Sequence, residues 1–211
     1  MAKKSTINGT LSGMRIIEGS AFIAAPLGGM TLAQMGADVI RFDNIGGGLD
    51  ARRAPLTKDN NSMYWAGWNK GKRSIMVDLF SNEGRELVSE LITLPGRDNG
   101  LFLTNLPMRG WLDYETLRLR RKDLIAISIV GNSDGRSAVD YTVNAATGFP
   151  HINGSTSDKF PLNNPLPVWD MLAGNAAATG LLAAERYRSR TQKGQVIRLA
   201  LTDIAFNAVA N

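Results

Sequence analysis

An aspartate, Asp170, closes the run Leu166-Pro167-Val168-Trp169-Asp170 and is followed at once by an Ala- and Gly-rich stretch, Met171 to Ala184. A carboxylate at the proline-stiffened mouth of such a helix has two readings. As an N-cap it accepts hydrogen bonds from the first free N–H groups and gains from the helix dipole. As a reactive group it is a base or a nucleophile: the dipole is worth only about 0.3–1 kcal/mol, which at ~1.36 kcal/mol per unit lowers its pKa by less than one. Either way Asp170 is expected to be ionised at neutral pH.

Other residues compete for a chemical role. Tyr64-Trp65-Ala66-Gly67-Trp68-Asn69-Lys70-Gly71-Lys72-Arg73 interleaves aromatics with cations, and Arg52 and Arg53 lie just upstream. That combination can stack a base and neutralise phosphates, and it equally describes a solvated basic loop with its Trp residues in the core. Asp140 precedes a short helical pattern and follows a strand end, where sites in open α/β sheets gather, whereas Asp134 reads as turn chemistry beside Gly135. His151 is the single histidine and there is no cysteine. A soft-metal site therefore has too few ligands, and a Ser-His-Asp triad would depend on one residue in a polar loop. Two glycine motifs fail: Glu18-Gly19-Ser20 through Gly28-Gly29 lacks G-x-G-x-x-G, and Gly46-Gly47-Gly48 lacks the Lys-Ser or Lys-Thr of a phosphate loop.

These groups need a scaffold, and the pattern supplies one. Short β-branched runs alternate with longer helical ones, the signature of βαβ units around a parallel sheet. Strands are expected at Arg15–Glu18, Val39–Phe42, Ser74–Leu79, Leu101–Thr104, Leu124–Val130 and Val196–Leu199. Helices are expected at Leu27–Met35, Gly84–Leu94, Tyr114–Arg121 and Met171–Ser189, with one more opening at Thr202–Asn211. Residues 1–10 read as a disordered tail ahead of one domain over residues 11–211. Asn153–Pro167 reads as a long polar loop that delivers Asp170. The basic runs Arg118–Lys122 and Arg186–Arg190 fall at helix C-termini, where cations complement the dipole.

The chain has 211 residues, 44% hydrophobic, enough for a sizeable core, and a net charge of +5 that suits an anionic partner. Its longest apolar stretch is too short to span a bilayer, and no signal-peptide core follows the basic start. A soluble, cytoplasmic protein with no membrane and no nucleic-acid role is the expectation.

Several motifs, taken in order, carry a resemblance. Leu11-Ser12-Gly13-Met14-Arg15-Ile16-Ile17-Glu18, Ala25-Pro26, Met35-Gly36-Ala37-Asp38-Val39-Ile40-Arg41-Phe42-Asp43, Asn69-Lys70-Gly71-Lys72-Arg73-Ser74-Ile75, Thr104-Asn105 and Gly180-Leu181-Leu182-Ala183-Ala184 together are similar to the class III CoA-transferases. The resemblance implies a Rossmann-like α/β domain with a parallel sheet flanked by helices, and it implies covalent catalysis. In that family the nucleophile is an aspartate just before this small-residue helix, the position of Asp170; it passes CoA between carboxylates through an aspartyl-CoA thioester. The same matching implies that Lys72 and Arg73 meet CoA phosphates, that Arg41 is a further basic contact, and that Asn105-Leu106 lines the CoA channel. CoA enters as part of an acyl-CoA substrate, with no permanent cofactor and no metal. Arg52 or Arg53 would pair with a free carboxylate of the substrate, and Asp140 is a further substrate-site candidate.

The family's racemases place a histidine immediately before Asp140; here that residue is Val139, so the racemase reading loses its base. Ile16–Phe22, Phe102–Pro107, Arg109–Leu112 and Val139–Asn144 look most like the branch that moves CoA from C1 to C4 of mesaconyl-CoA. Family members are longer chains whose later part supplies a smaller domain and a glycine-rich loop, and they form interlocked dimers. The resemblance therefore implies a homodimer or a complementing second chain.

Overall fold

The computed structural model describes residues 9–154 and 160–209. Six strands, β1 (Arg15–Gly19), β2 (Asp38–Asn44), β3 (Arg73–Val77), β4 (Leu101–Thr104), β5 (Ile125–Val130) and β6 (Gln195–Ala200), form one all-parallel sheet in the order β3-β2-β1-β4-β5-β6. Eight α-helices among the described residues connect them: α1 (Ala24–Gln34), α2 (Met63–Trp68), α3 (Asn82–Thr93), α4 (Tyr114–Arg120), α5 (Asp140–Ala146), α6 (Phe149–Ile152), α7 (Val168–Thr191) and α8 (Leu201–Val209).

The sheet has an apolar core on each side, which is why its central strands read as continuous hydrophobic runs instead of alternating ones. Ile16, Leu103, Ile125 and Ile127 pack against α1, α7 and α8; Ile17, Phe102, Leu124 and Ala126 pack against α3 and α4. Edge strand β3 leaves Ser74 and Met76 exposed, as a strand with one free edge tolerates. Strand order reverses between β1 and β4, and the carboxyl ends beside that switch point are where open α/β sheets gather their ligands.

Small residues set the approach of the two helices that frame the site. A Cβ on Gly174 of α7 would sit 2.6 Å from the Ala24 carbonyl oxygen, and one on Gly28 of α1 would sit 2.9 Å from the Gly174 oxygen. The Ala- and Gly-rich stretch is thus a helix-packing surface, and Gly174 lies one turn beyond Asp170. The opposite edge of the sheet is tied by cations. Arg188 is buried and donates to the carbonyls of Asn99 (2.9 Å), Gly100 (3.1 Å) and Arg97 (3.1 Å), while Arg121 bonds Gly96 O and Asp123. This bears out the structural reading of both basic runs.

Residues 1–8 of the expected tail lie outside the described residues; Gly9 already belongs to the fold, its carbonyl accepting from Ser12 N at 2.9 Å. Part of the expected Asn153–Pro167 loop, residues 155–159, also lies outside, as do residues 210–211 of the last helix.

Candidate active site

Asp170 stands in the first turn of α7, at the carboxyl-end edge of the sheet, but it does not cap the helix. Pro167 occupies the N-cap position and offers no side-chain bond. The cap comes from α5: Asp140 Oδ2 accepts from Trp169 N at 2.8 Å and from Asp170 N at 3.0 Å. Asp140 is 4% exposed and sits 30 residues earlier in the chain. The expectation of a self-capping Asp170 is corrected accordingly.

Its electrostatics are corrected too. The Asp170 carboxyl is pushed up to about 6 by burial, with the charge on Asp140 adding to the rise. The dipole was expected to lower it, but a second carboxylate now occupies the N–H groups through which the dipole would act. At pH 7 a pKa of about 6 leaves roughly ten ionised groups for each protonated one. Asp140 is itself raised by burial, against the two N–H bonds that favour its charge. Among the described residues no side chain or backbone group donates to the Asp170 carboxylate, whose oxygens are left to an incoming group.

Asn144, one turn beyond Asp140 on α5, is buried and accepts from the Trp169 indole Nε1 at 3.0 Å. It also bonds Asn163, and accepts from Asn164 Nδ2 at 3.2 Å. The Trp169 ring meets Phe149 edge-on, with centroids 5.9 Å apart.

A second wall comes from the loop after β2. Arg53 places its guanidinium carbon 4.6 Å from the Tyr64 ring centroid and 5.6 Å from that of Phe22. Both are cation–π distances. Burial pushes the Tyr64 phenol up to about 12; the Arg53 charge opposes the rise, while Asp170, Asp50 and Tyr141 add to it, so all of these groups bear on one phenol. Phe22 has φ 64, a left-handed backbone rare for a bulky residue, and its N–H donates to Asp50 Oδ2 at 3.0 Å. Such strain persists where surrounding contacts over-determine it. Arg52 makes no comparable contact; both arginines are exposed and neither forms an ion pair among the described residues.

The structure gives three of the expected CoA contacts other work. Arg41 is 0% exposed and makes five hydrogen bonds, two to Asp43, two to Asp50 and one to Asn69, with Trp65 5.4 Å from its guanidinium carbon. Every donor is taken, so it holds the loop carrying Asp50 and Arg53 to the sheet. Lys72 Nζ donates to Glu18 Oε1 (2.7 Å), Pro26 O (2.8 Å) and Asn69 Oδ1 (2.8 Å), with its side chain 1% exposed. Burial lowers the Lys72 pKa and raises that of Glu18. Arg73 lies at the amino-terminal edge of the sheet, away from Asp170, in a bidentate pair with Asp38 (2.7 and 2.6 Å). The partners Asp43, Asp50 and Glu18 are what the expectation of phosphate contacts lacked.

Asn105 does stand at the switch point. Its amide accepts from Ala21 N (2.9 Å) and donates to Ala21 O (2.7 Å), clamping the segment next to Phe22, while Leu106 packs into the α3-side core. His151 is exposed on α6 and Asp134 pairs with Arg136, so neither joins the site. A surface cavity of about 600 Å³ lies at the opposite edge of the sheet, among Arg97, Arg120, Arg121, Lys122 and Gln192.

A doubly wound parallel sheet with a half-buried carboxylate at its carboxyl edge defines an α/β protein of the open-sheet class. The chain belongs to CoA-transferase family III, whose model matches residues 11–211. It is 52% identical over 206 residues to the 2-methylfumaryl-CoA isomerase of Chloroflexus aurantiacus, covering 97% of this chain and 50% of that protein. It is 35% identical over 217 residues to the succinate–glutarate CoA-transferase of Agrobacterium fabrum, covering 95% and 53%. A CAIB/BAIF family protein from Brucella suis superposes with a TM-score of 0.87 at 29% identity, over 97% of this chain and 56% of that one. The chain spans about half the length of the curated relatives it matches.

Proposed function

We propose that this chain carries the nucleophile of a CoA transfer between carboxylates, with Asp170 as the attacking group and a dicarboxylic acyl-CoA as substrate. The observation that carries the reading is the half-buried Asp170 carboxylate, without a donor among the described residues, presented by a helix start that Asp140 holds. An Asp170 oxygen attacks the thioester carbonyl, the C–S bond breaks, and CoA leaves as thiolate from an acyl-aspartyl anhydride. Thiolate then attacks the Asp170 carbonyl carbon, which releases the acyl group as a free carboxylate and leaves an aspartyl-CoA thioester. An acceptor carboxylate reverses both steps and departs carrying CoA. When donor and acceptor carboxyls belong to one molecule, the outcome is migration of CoA from C1 to C4 of mesaconyl-CoA; the relative at 52% identity is named a 2-methylfumaryl-CoA isomerase.

Within this reading Arg53 pairs with the second carboxylate of the substrate. Its guanidinium is held across two rings, one of them the Tyr64 ring that also feels the Asp170 charge, and among the described residues its donors have no partner. Arg52, on the same loop, lacks that buttressing. Asn105 and Leu106 border the path of the CoA arm at the switch point. Treatment with hydroxylamine and mesaconyl-CoA should convert Asp170 to its hydroxamate, read by peptide mass spectrometry, and Asp170→Ala should abolish exchange. Full activity in that variant would refute the assignment.

A second polypeptide, another copy or a complementing chain, completes the assembly. Exposed Leu49, Val139, Ile152, Phe160 and Leu166 lie on the site-side loops and on the segment leading to Asp170, and such apolar surface is characteristic of an interface. Native mass spectrometry that finds only monomer, together with turnover by that monomer, would remove the partner. No helix among the described residues is long and apolar enough to cross a membrane.

A further inference from the structure

We infer that Asn144 is a positioning residue that fixes the nucleophile through the Trp169 indole and ties it to the segment at Asn163 and Asn164. The inference rests on the reading of Asp170 as nucleophile. It goes beyond that reading by assigning the control of Asp170 to a side chain two contacts away.

The geometry is a two-point grip. Asp140 and Asn144 lie four residues apart on α5, hence on one helix face. The first holds the backbone N–H groups of Trp169 and Asp170, and the second holds the Trp169 side chain at 3.0 Å. One point alone leaves the first turn of α7 free to pivot; two fix it. Asn144 is 0% exposed and Trp169 is 2% exposed, so water replaces neither partner and a lost bond stays lost. The amide makes three of its four possible bonds: its oxygen accepts from Trp169 and Asn164, and its nitrogen donates to Asn163. Asn163 and Asn164 therefore reach Trp169, the neighbour of Asp170, through the single side chain of Asn144. A misplacement of about 1 Å in a reacting group can lower a rate about a hundredfold, so a hub at this point sets the rate without touching substrate.

The test uses Asn144→Leu, Trp169→Phe and the double variant. Trp169→Phe keeps a ring against Phe149 while deleting the indole N–H. The rate of Asp170 labelling by hydroxylamine is measured against mesaconyl-CoA concentration and pH, alongside hydrogen exchange of the Trp169 and Asp170 amides. In each single variant the maximal labelling rate should fall tenfold or more, with the half-saturating concentration within twofold of the parent. The double variant should fall no further than the worse single. The acid limb should move below about 6, because a loosened first turn admits water to Asp170. The groups gathered there are Asp140 and Tyr141 of α5 and Tyr64 of α2, with Arg53 and Asp50 beyond Tyr64, and none of them is altered. The two amides should exchange at least tenfold faster, while those of Leu103 and Ile127 in the sheet keep their protection.

Labelling within twofold of the parent, effects that multiply in the double variant, or an unmoved acid limb with only a lower Tm would overturn the inference. Absence of labelling in the parent overturns the assignment of Asp170 instead, and the amide exchange rates then decide the grip by themselves.

Discussion

Replacing Asp170 by Asn should make the protein more stable, and the pH dependence of the gain tests the environment assigned to the nucleophile. A carboxyl raised from its ordinary 3.8 to about 6 is more costly to ionise in the folded chain than in the unfolded one. The difference of about two units corresponds to ~3 kcal/mol at ~1.36 kcal/mol per unit; Asp170 is only half-buried, and solvent screening reduces this to about 1–3 kcal/mol. The sign follows from a folded pKa above the unfolded one. The burden is absent below about pH 4, grows through pH 6 and is complete above about pH 7. Because the described residues donate no bond to this carboxylate, an amide of the same shape replaces nothing. At about 2–4 °C per kcal/mol for a chain of this size, Asp170→Asn should raise Tm by roughly 2–12 °C at pH 8 and by nothing at pH 4. Paired thermal melts across pH 4–8 give the result: carboxylates remote from Asp170 cancel in the difference, and Asp140, which is coupled to it, adds to the same gain. A variant no more stable than its parent at pH 8, or a gain constant across that range, would refute the reasoning. A stabilising substitution that also abolishes hydroxamate formation is the behaviour expected where function and stability are opposed.

Three further substitutions probe what surrounds it. Asp140→Asn keeps an acceptor for the Trp169 and Asp170 amides but removes the neighbouring charge, so the acid limb of labelling should fall below about 6; an unmoved limb would mean that burial alone sets it. Lys72→Met leaves Glu18 buried without its cation, a loss on the order of 3–5 kcal/mol, seen as a collapse in Tm or in soluble yield. Wild-type stability with weakened CoA binding in that variant would restore Lys72 to the phosphate role its sequence context implied. Gly174→Ala forces a methyl to 2.6 Å from the Ala24 carbonyl oxygen and should destabilise by about 1–3 kcal/mol in urea titration, unless α7 slides without loss.

The sheet was legible because burial on both faces writes itself as continuous β-branched runs: all six expected strands are present, with no end shifted by more than two residues. Helix α2 escaped notice because six residues carrying Gly67 and three aromatics show no periodicity, and because its start is set by Ser62, whose Oγ accepts from Trp65 N. Asp170 was legible as a position and illegible as an environment. The acid that caps its helix is Asp140, and only the tertiary fold brings the two together. Arg41 and Lys72 show the same limit from the other side: residue type announces a cation, whereas the acceptors that consume it, Asp50 and Glu18, come from other segments. Arg53 separates from Arg52 only once the Phe22 and Tyr64 rings are in place.

The second carboxylate explains why a helix start would suit the proposed nucleophile. A bare N-terminus would lower the pKa of Asp170, which secures ionisation at the expense of basicity, and nucleophilicity falls with basicity. A wholly buried carboxyl would rise far enough to be protonated at pH 7 and would not attack at all. By giving the α7 amides to Asp140, the fold cancels the dipole's pull and adds a like charge, while partial exposure of Asp170 limits the rise to about 6. The outcome is a carboxylate more basic than an ordinary aspartate and still ionised about ten to one at pH 7. In the proposed reaction such a group would compete well with a dicarboxylate's own carboxyls for the thioester carbonyl. It would remain a good enough leaving group for the anhydride to collapse in either direction, which reversible CoA transfer requires. Under that proposal Asp140 acts through the charge it holds beside Asp170, and Asn144 through the position it enforces.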